Sequence, residues 1–366
     1  MKVLQVNKLY APAIGGVETV VKDIAEGLQV DMEVLVCQRK GKSIKEEVNG
    51  VKVVRAGSFG TVLSMPLSLS FFNLFRKMAK KADIIFLHSP FPLADLAVLL
   101  FGRKKKLVVW WHSDIVRQKF ILKLLSPIVH HTLKKATIII AAAQANIESS
   151  LFLTQYKDKC VVIPYGIDIE SYPKFKNNCF LTNKLRNRAN KKLLFVGRLV
   201  YYKGLHILIE AMRDVSDAEL FIVGRGPLDE PLKQEINKHS LEKKVHMLGT
   251  LQKNDLLQTF ADCDIFVFPS CANSEAFGLT QLDAMYYGKP VINTNLPTAV
   301  PWVSVHNRTG ITIPVGSVSA LAEAINLLVQ DDCLQETYGT NANARVLELF
   351  DQKKMLKDLH ALLKEC

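Results

Sequence analysis

Residues 264–294 read DIFVFPSCANSEAFGLTQLDAMYYGKPVINT. Asp264–Phe268 is a short apolar run closed by Pro269 and Ser270, the pattern of a strand buried on both faces. Leu279–Tyr287 has the length and composition of a helix. Gly288-Lys289-Pro290 stops it before a second apolar run, Pro290–Asn293. Strand, loop, helix and strand in this order form the βαβ rhythm of a parallel sheet, which binds its ligands at the carboxyl ends of the strands.

The rhythm extends in both directions. Upstream, Leu193–Val196, Glu219–Val223 and Val245–Leu248 read as strands, with helices at Lys203–Met212, Leu228–Lys238 and Asn254–Phe260. Downstream, Val318–Val329 and Leu334–Leu349 read as helices, and Gln352–Lys364 as a last amphipathic one. In the first half, strands are expected at Lys2–Val6, Glu33–Cys37, Val51–Arg55, Asp83–Leu87, Leu107–Trp110, Thr137–Ala141 and Cys160–Ile163, with a helix from Val17 to Leu28. The Asn-rich, basic run 177–192 (NNCFLTNKLRNRANKK) reads as a linker. The expected architecture is α/β, two Rossmann-like doubly wound domains facing across a cleft. Their bounds are 1–176 and 193–349, and a helix over 350–366 packs back on the N-terminal domain.

Composition excludes several classes. At 366 residues with 49% hydrophobic and 22% charged residues, the chain is globular and long enough for two cores. No run reaches the ~18 apolar residues of a membrane span, and the N-terminus lacks the apolar core and small-residue cleavage site of a signal peptide. Seven scattered cysteines with no CxxC pair fit reduced thiols in a cytosolic protein. The net charge of +12 is one-sided. Residues 1–180 hold 26 Lys and Arg against 14 Asp and Glu, whereas residues 181–366 hold 21 of each. Such asymmetry points to an anionic partner for the first half.

Four clusters could carry chemistry. Gly15-Gly16-Val17-Glu18 follows a strand and opens a helix, where backbone N–H groups can meet a phosphate; a tight turn explains it equally well. Arg198 and Lys203 flank the end of the Leu193–Val196 strand, able to neutralise a diphosphate. Gly224-Arg225-Gly226-Pro227 reads as a glycine turn with Arg225 exposed. The densest cluster is in the opening stretch. Glu275 precedes the helix N-terminus and Asp283 lies about one turn into it, so the two carboxylates can accept hydrogen bonds from sugar and ribose hydroxyls while the helix end holds phosphate. The bland alternative is helix capping by acidic residues. No GxxxxGK[ST] motif is present.

On GGVE at 15–18, GRL…KG at 197–204, FVFPS at 266–270 and SEAFGLTQLDAMYYGKPVINT at 274–294, the chain resembles family 4 of the retaining, nucleotide-sugar-dependent glycosyltransferases, with the GT-B architecture. The stretch 293–310 is most similar to bacterial enzymes of lipopolysaccharide O-antigen biosynthesis, often mannosyltransferases using GDP-mannose. The resemblance implies a role for each matching residue. Gly15 and Gly16 would present backbone to the donor diphosphate. Arg198 and Lys203 would neutralise it as it leaves. Glu275 would hold donor-sugar hydroxyls, and the backbone N–H groups of Phe277, Gly278 and Leu279 would contact sugar and phosphate. Asp283 stands where the family usually has a second Glu that grips the ribose, one methylene shorter. His112, after the strand ending at Trp111, matches a histidine near the reaction centre. No cofactor and no metal are implied: Asp262-Cys263-Asp264 has the spacing of a metal-binding DxD but directly precedes a buried strand.

The acceptor implied is a lipid-linked oligosaccharide. Basic runs at 76–81 and 103–106, and Lys119, Lys123, Ser126, His130 and Lys134 on one face of an Arg117–Lys135 helix kinked or split by Pro127, suggest an anionic membrane surface as a further partner. The expected location is cytoplasmic, peripheral on the inner face of the cell membrane. A UDP-sugar donor is the nearest alternative. A basic nucleic-acid-binding protein is a different class of reading, but no zinc spacing or RNP-like run supports it, and no nucleic-acid partner is expected. An epimerase on the same architecture would act on the sugar nucleotide without an acceptor.

Overall fold

The computed structural model describes residues 1–13, 15–62, 65–102, 105–114, 119–175 and 179–366, with backbone alone over 119–124. Arg103, Lys104, Arg117, Asn177 and Asn178 therefore lie outside the described residues, as do the side chains of Lys119 and Lys123. Among the described residues no helix is long and apolar enough to cross a membrane.

The chain forms two units. Unit 1 comprises Met1–Tyr165 and Gln352–Cys366, and unit 2 comprises Gly166–Asp351. Unit 1 carries β1 (Lys2–Val6), β2 (Asp31–Cys37), β3 (Ile44–Val48), β4 (Val51–Ala56), β5 (Thr61–Val62), β6 (Met65–Pro66), β7 (Ile84–Ser89), β8 (Lys106–Trp111), β9 (Ile138–Ala141) and β10 (Cys160–Val162). Its main sheet runs β10-β9-β8-β7-β1-β2-β4-β3. Every pairing is parallel except β3 with β4. β7 is buried along its whole length, as a strand covered by helices on both faces must be. β3 (IKEEV) is an exposed edge strand whose polar sequence gave no strand signal. The final helix Gln352–Glu365 buries Met355, Leu359 and Leu363, and its Leu356 lies against Gly27 at the end of the first helix. The helix Lys119–Lys135 is continuous through Pro127, so it is not split there.

Unit 2 carries β11 (Lys191–Val196), β12 (Ala218–Val223), β13 (Val245–Gly249), β14 (Ile265–Val267), β15 (Val291–Thr294) and β16 (Gly310–Ile313), ordered β13-β12-β11-β14-β15-β16 and all parallel. β16 escaped the sequence reading because it begins on a glycine. A Cβ on Gly310 would come within 1.9 Å of the Val291 carbonyl oxygen, so only glycine admits this strand to the sheet.

The first domain was expected to reach residue 176, but unit 1 ends at Tyr165. Nor is 179–190 a free linker. The Asp262 carboxylate accepts hydrogen bonds from Leu181 N (2.6 Å), Thr182 N (2.8 Å) and Thr182 Oγ1 (2.9 Å), and Glu219 accepts from the amides of Arg186 (3.0 Å) and Asn187 (3.1 Å). Polar composition marked the segment as surface, while two carboxylates distant in sequence tie its backbone down. Asp264 accepts from Lys192 N at 2.7 Å, so one end of the DxD spacing holds the 181–182 backbone and the other holds β11.

Candidate active site

In unit 2 the chain winds outward from β11 through β12 and β13, then returns to β14 on the other side of β11. The gap between β11 and β14 is the topological switch point, where connections leave in opposite directions and open a crevice at the carboxyl ends of the strands. Arg198 follows β11 and is exposed. Lys203 ends the short turn Tyr201–Lys203. Gly204 has φ 69°, and a Cβ there would sit 2.0 Å from the Pro269 carbonyl oxygen. Glycine thus lets the loops after β11 and β14 touch backbone to backbone.

That contact brings Lys203 to Glu275. Nζ lies 2.5 Å from Oε2, both side chains are 11% exposed, and the ammonium sits 4.7 Å from the centre of the Phe268 ring. The Ser270 hydroxyl donates to the same carboxylate oxygen at 3.2 Å. Two residues 72 positions apart, assigned to diphosphate and to sugar by the resemblance, are thus one ion pair, which no spacing in the sequence announces.

Gly278, with φ 83°, caps the helix Leu279–Tyr286. A Cβ there would press within 2.7 Å of Gln281 and the Phe268 ring. Gln281 is fully buried and its Nε2 donates to the Phe277 carbonyl at 3.1 Å, which shapes the turn. Phe277 itself is buried against Trp302 and Phe350. Among the described residues, the N–H groups of Gly278 and Leu279 have no acceptor, and the buried Thr280 hydroxyl has no partner. Free donors at a helix N-terminus beside Lys203 suit an anion.

Asp283 is partly buried further along the helix, and its carboxylate accepts a hydrogen bond from the Tyr172 hydroxyl. Burial pushes its carboxyl up to about 6, against the Tyr172 hydrogen bond and Lys253. The carboxylate that the resemblance assigns to ribose therefore already has a protein partner. Tyr172, whose ring lies 4.6 Å from that of Tyr286, was not legible from any motif.

The switch point of unit 1 lies between β1 and β7. Gly15 and Gly16 open the helix Gly16–Gly27, and Thr19 Oγ1 donates to Gly15 O at 2.9 Å. The Glu18 carboxylate folds over Gly15, within 2.1 Å of where a Cβ would stand, and covers the turn expected to meet a phosphate. Arg225 of unit 2 is exposed beside Asp229 at 3.5 Å, and Gly224 (φ 136°) fits a turn against Gly197.

His112 follows β8 and is buried in a hydrogen-bonded ladder. The Gln5 amide nitrogen donates to Val21 O (3.1 Å) and to His88 Nε2 (2.8 Å). Because that nitrogen can only donate, His88 carries its proton on Nδ1 and passes it toward His112 Nε2 at 2.8 Å. His112 in turn donates from Nδ1 to the Tyr165 hydroxyl at 2.6 Å. The two imidazoles stack 5.1 Å apart at 13°. Burial lowers His112 to about 3, and lowers His88 well below the usual imidazole range with His112 adding to the effect. Both rings are neutral, and both nitrogens of His112 are occupied. Its backbone N–H is also taken, by Ser89 O at 2.9 Å.

Comparison with known proteins identifies the family. A family model described as "Glycosyltransferase Family 4" matches residues 14–171, and one described as "Glycosyl transferases group 1" matches residues 181–345. The chain is 35% identical over 358 residues to D-rhamnosyltransferase WbpZ of Pseudomonas aeruginosa, covering 96% of this chain and 92% of that one. It is 32% identical over 369 residues to O-antigen chain mannosyltransferase C of Escherichia coli, covering 97% and 96%. Among solved structures, Anabaena Alr3699/HepE in complex with UDP-glucose superposes with a TM-score of 0.83 at 23% identity, covering 100% of both chains. The chain is a member of the family 4 glycosyltransferases with the GT-B fold, and its chemistry is the transfer of a glycosyl group.

Proposed function

We infer that the enzyme moves a hexose, mannose from GDP-mannose, onto a lipid-linked glycan acceptor in O-antigen or related cell-surface polysaccharide synthesis. The O-antigen chain mannosyltransferase of Escherichia coli supports mannose and the process, while the Pseudomonas aeruginosa relative transfers rhamnose. The observation that carries the donor site is the buried Lys203–Glu275 pair beside the free N–H groups of Gly278 and Leu279. Glu275 accepts from sugar hydroxyls. Lys203, Arg198 and the helix amides take up the charge of the departing diphosphate, so the account needs no divalent ion. Preorganised donors of this kind contribute about 3–4 kcal/mol each in comparable oxyanion sites.

Transfer proceeds with retention. The bond from the anomeric carbon to the phosphate oxygen breaks as the bond to the acceptor oxygen forms on the same face, and the acceptor hydroxyl proton passes to the leaving phosphate. Trapping of a glycosyl-enzyme adduct would refute this. His112, with both ring nitrogens engaged, acts by holding the carboxyl end of β8 in place and not as an acid or base. Unit 1 receives the acceptor at an anionic membrane surface, and the enzyme is peripheral on the cytoplasmic face.

A thermal-shift screen against GDP, UDP, ADP and their sugars in EDTA tests the donor. Stabilisation by GDP and GDP-mannose is expected. Stabilisation by none of the nucleotides would remove the reading, and product analysis without acceptor separates transfer from epimerisation.

A further inference from the structure

Among the described residues of the 59–69 segment of unit 1, four apolar side chains face solvent: Phe59 (74% exposed), Val62 (52%), Leu67 (46%) and Leu69 (74%). The antiparallel β5–β6 pair carries this segment. Its base is closed by Phe59 N to Leu67 O (3.0 Å) and Leu67 N to Gly60 O (2.9 Å), and the Ser68 and Ser70 hydroxyls donate to Gly57 O at 2.6 and 3.0 Å. The backbone at the base is therefore held while these four side chains point outward. An exposed apolar cluster on an ordered support marks an interaction site.

The adjoining loop 38–43 supplies charge. Gly41 and Ser58 exchange two backbone hydrogen bonds of 2.9 Å, and Gly57 N donates to Ser43 Oγ at 2.8 Å, so this loop is tied to the base of the hairpin. The loop carries Arg39, Lys40 and Lys42, all exposed, with no acidic residue between positions 38 and 45. Among the described residues none of the three cations has an ion-pair partner.

Topology fixes where this surface stands. β4 is parallel to β2, and β2 to β1, so the hairpin leaves the same carboxyl edge at which β1 leads to Gly15 and Gly16. Two strand spacings, about 10 Å, separate β4 from β1. Lys80 and Lys81, by contrast, end the helix Ser70–Lys81 at the amino edge, next to the start of β7. The basic run 76–81 expected to meet a membrane thus spreads away from the glycine turn.

We propose that the hairpin and the 38–43 loop dock unit 1 on an anionic lipid bilayer. Phe59, Val62, Leu67 and Leu69 enter the interfacial layer, and Arg39, Lys40 and Lys42 meet the headgroups. Exposed apolar side chains beside a loop of unpaired cations, with no acid between 38 and 45, suit that surface, where each cation contributes roughly fivefold to partitioning. Docking there holds the candidate phosphate-binding edge at the membrane, where a lipid-linked acceptor is presented. The proposal rests on the lipid-acceptor reading above.

Co-sedimentation of the full chain with phosphatidylcholine vesicles, with and without phosphatidylglycerol, tests it. Binding to the anionic vesicles is expected. Phe59→Ser with Leu69→Ser should lose about tenfold or more, and Arg39→Ser, Lys40→Ser and Lys42→Ser roughly fivefold each. Leu100→Ser, at a comparably exposed leucine (53%) of the same unit, should bind as wild type. Thermal shift by GDP should be unchanged in every variant, which reports an intact fold. If wild type binds anionic vesicles and both variant sets bind equally well, the docking surface is wrong while the lipid reading stands. If wild type binds no vesicle but self-associates through Phe59, the patch is a protein interface and the proposal falls. Wild type that binds no vesicle at all removes the proposal and the membrane reading together.

Discussion

Glu275→Gln keeps the shape of the side chain and removes its charge. In the folded protein Lys203 Nζ then stays beside it with no counter-charge, at a site where both side chains are 11% exposed. At an effective dielectric of 20, the 2.5 Å contact amounts to about 6–7 kcal/mol of Coulomb attraction, much of it offset by the desolvation of both ions. Removing one partner leaves the other buried and uncompensated, which costs about 3–5 kcal/mol in comparable pairs. For a unit of this size that is a fall of roughly 10 °C in the melting temperature. Lys203→Met should cost a similar amount, because Glu275 keeps only the Ser270 hydroxyl at 3.2 Å. The double variant carries neither charge and should recover about 2 kcal/mol relative to the sum of the singles. Transfer behaves differently: each single and the double should lose about 10²-fold or more in turnover, since both groups are needed on the donor. The assay pairs calorimetric melting with transfer from GDP-mannose. Single variants that melt like wild type, or a double variant that restores turnover, would refute the reasoning.

Four other outcomes can be checked. Gly204→Ala meets both a positive φ and the Pro269 carbonyl oxygen at 2.0 Å, so it should destabilise unit 2 by about 3 kcal/mol or more in denaturant titration and lower turnover with it. Asp283, raised from 3.8 to about 6, binds its proton more tightly folded than unfolded, so it subtracts stability as pH rises through that window. Asp283→Asn should flatten the pH dependence of melting there by about 1–2 kcal/mol, and an unchanged profile would contradict the assigned burial. The ladder histidines have the opposite sign: held neutral in the fold, they contribute stability above about pH 6.5 that is lost as pH falls, for His112 toward about 3 and for His88 in the same direction, and His88→Leu with His112→Leu should remove part of that acid sensitivity. Glu18→Gln should tighten nucleotide binding if an anion must displace the carboxylate from Gly15; equal affinity in calorimetric titration would show that it need not.

Much of the fold was legible because strands such as β7 and β12 are built on apolar runs buried along their length and glycine marks the turns that follow strands. β3 was not, since an edge strand exposed on both faces carries no hydrophobic period. At the site, the local pattern around Glu275 and Gly278 could be read, because a loop and the helix after it are contiguous. The Lys203–Glu275 pair, the Tyr172 hydroxyl on Asp283 and the Gln5–His88–His112–Tyr165 ladder join residues far apart in the chain, and only the tertiary packing brings them together.

The central claim is that Arg198, Lys203 and the amides of Gly278 and Leu279 carry the charge of the leaving diphosphate without a divalent ion. Transfer from GDP-mannose to a lipid-linked acceptor, measured after exhaustive chelation with EDTA, tests it most directly. Turnover equal to that in magnesium or manganese is the expected result, and turnover that appears only when one of those ions is restored would contradict the account.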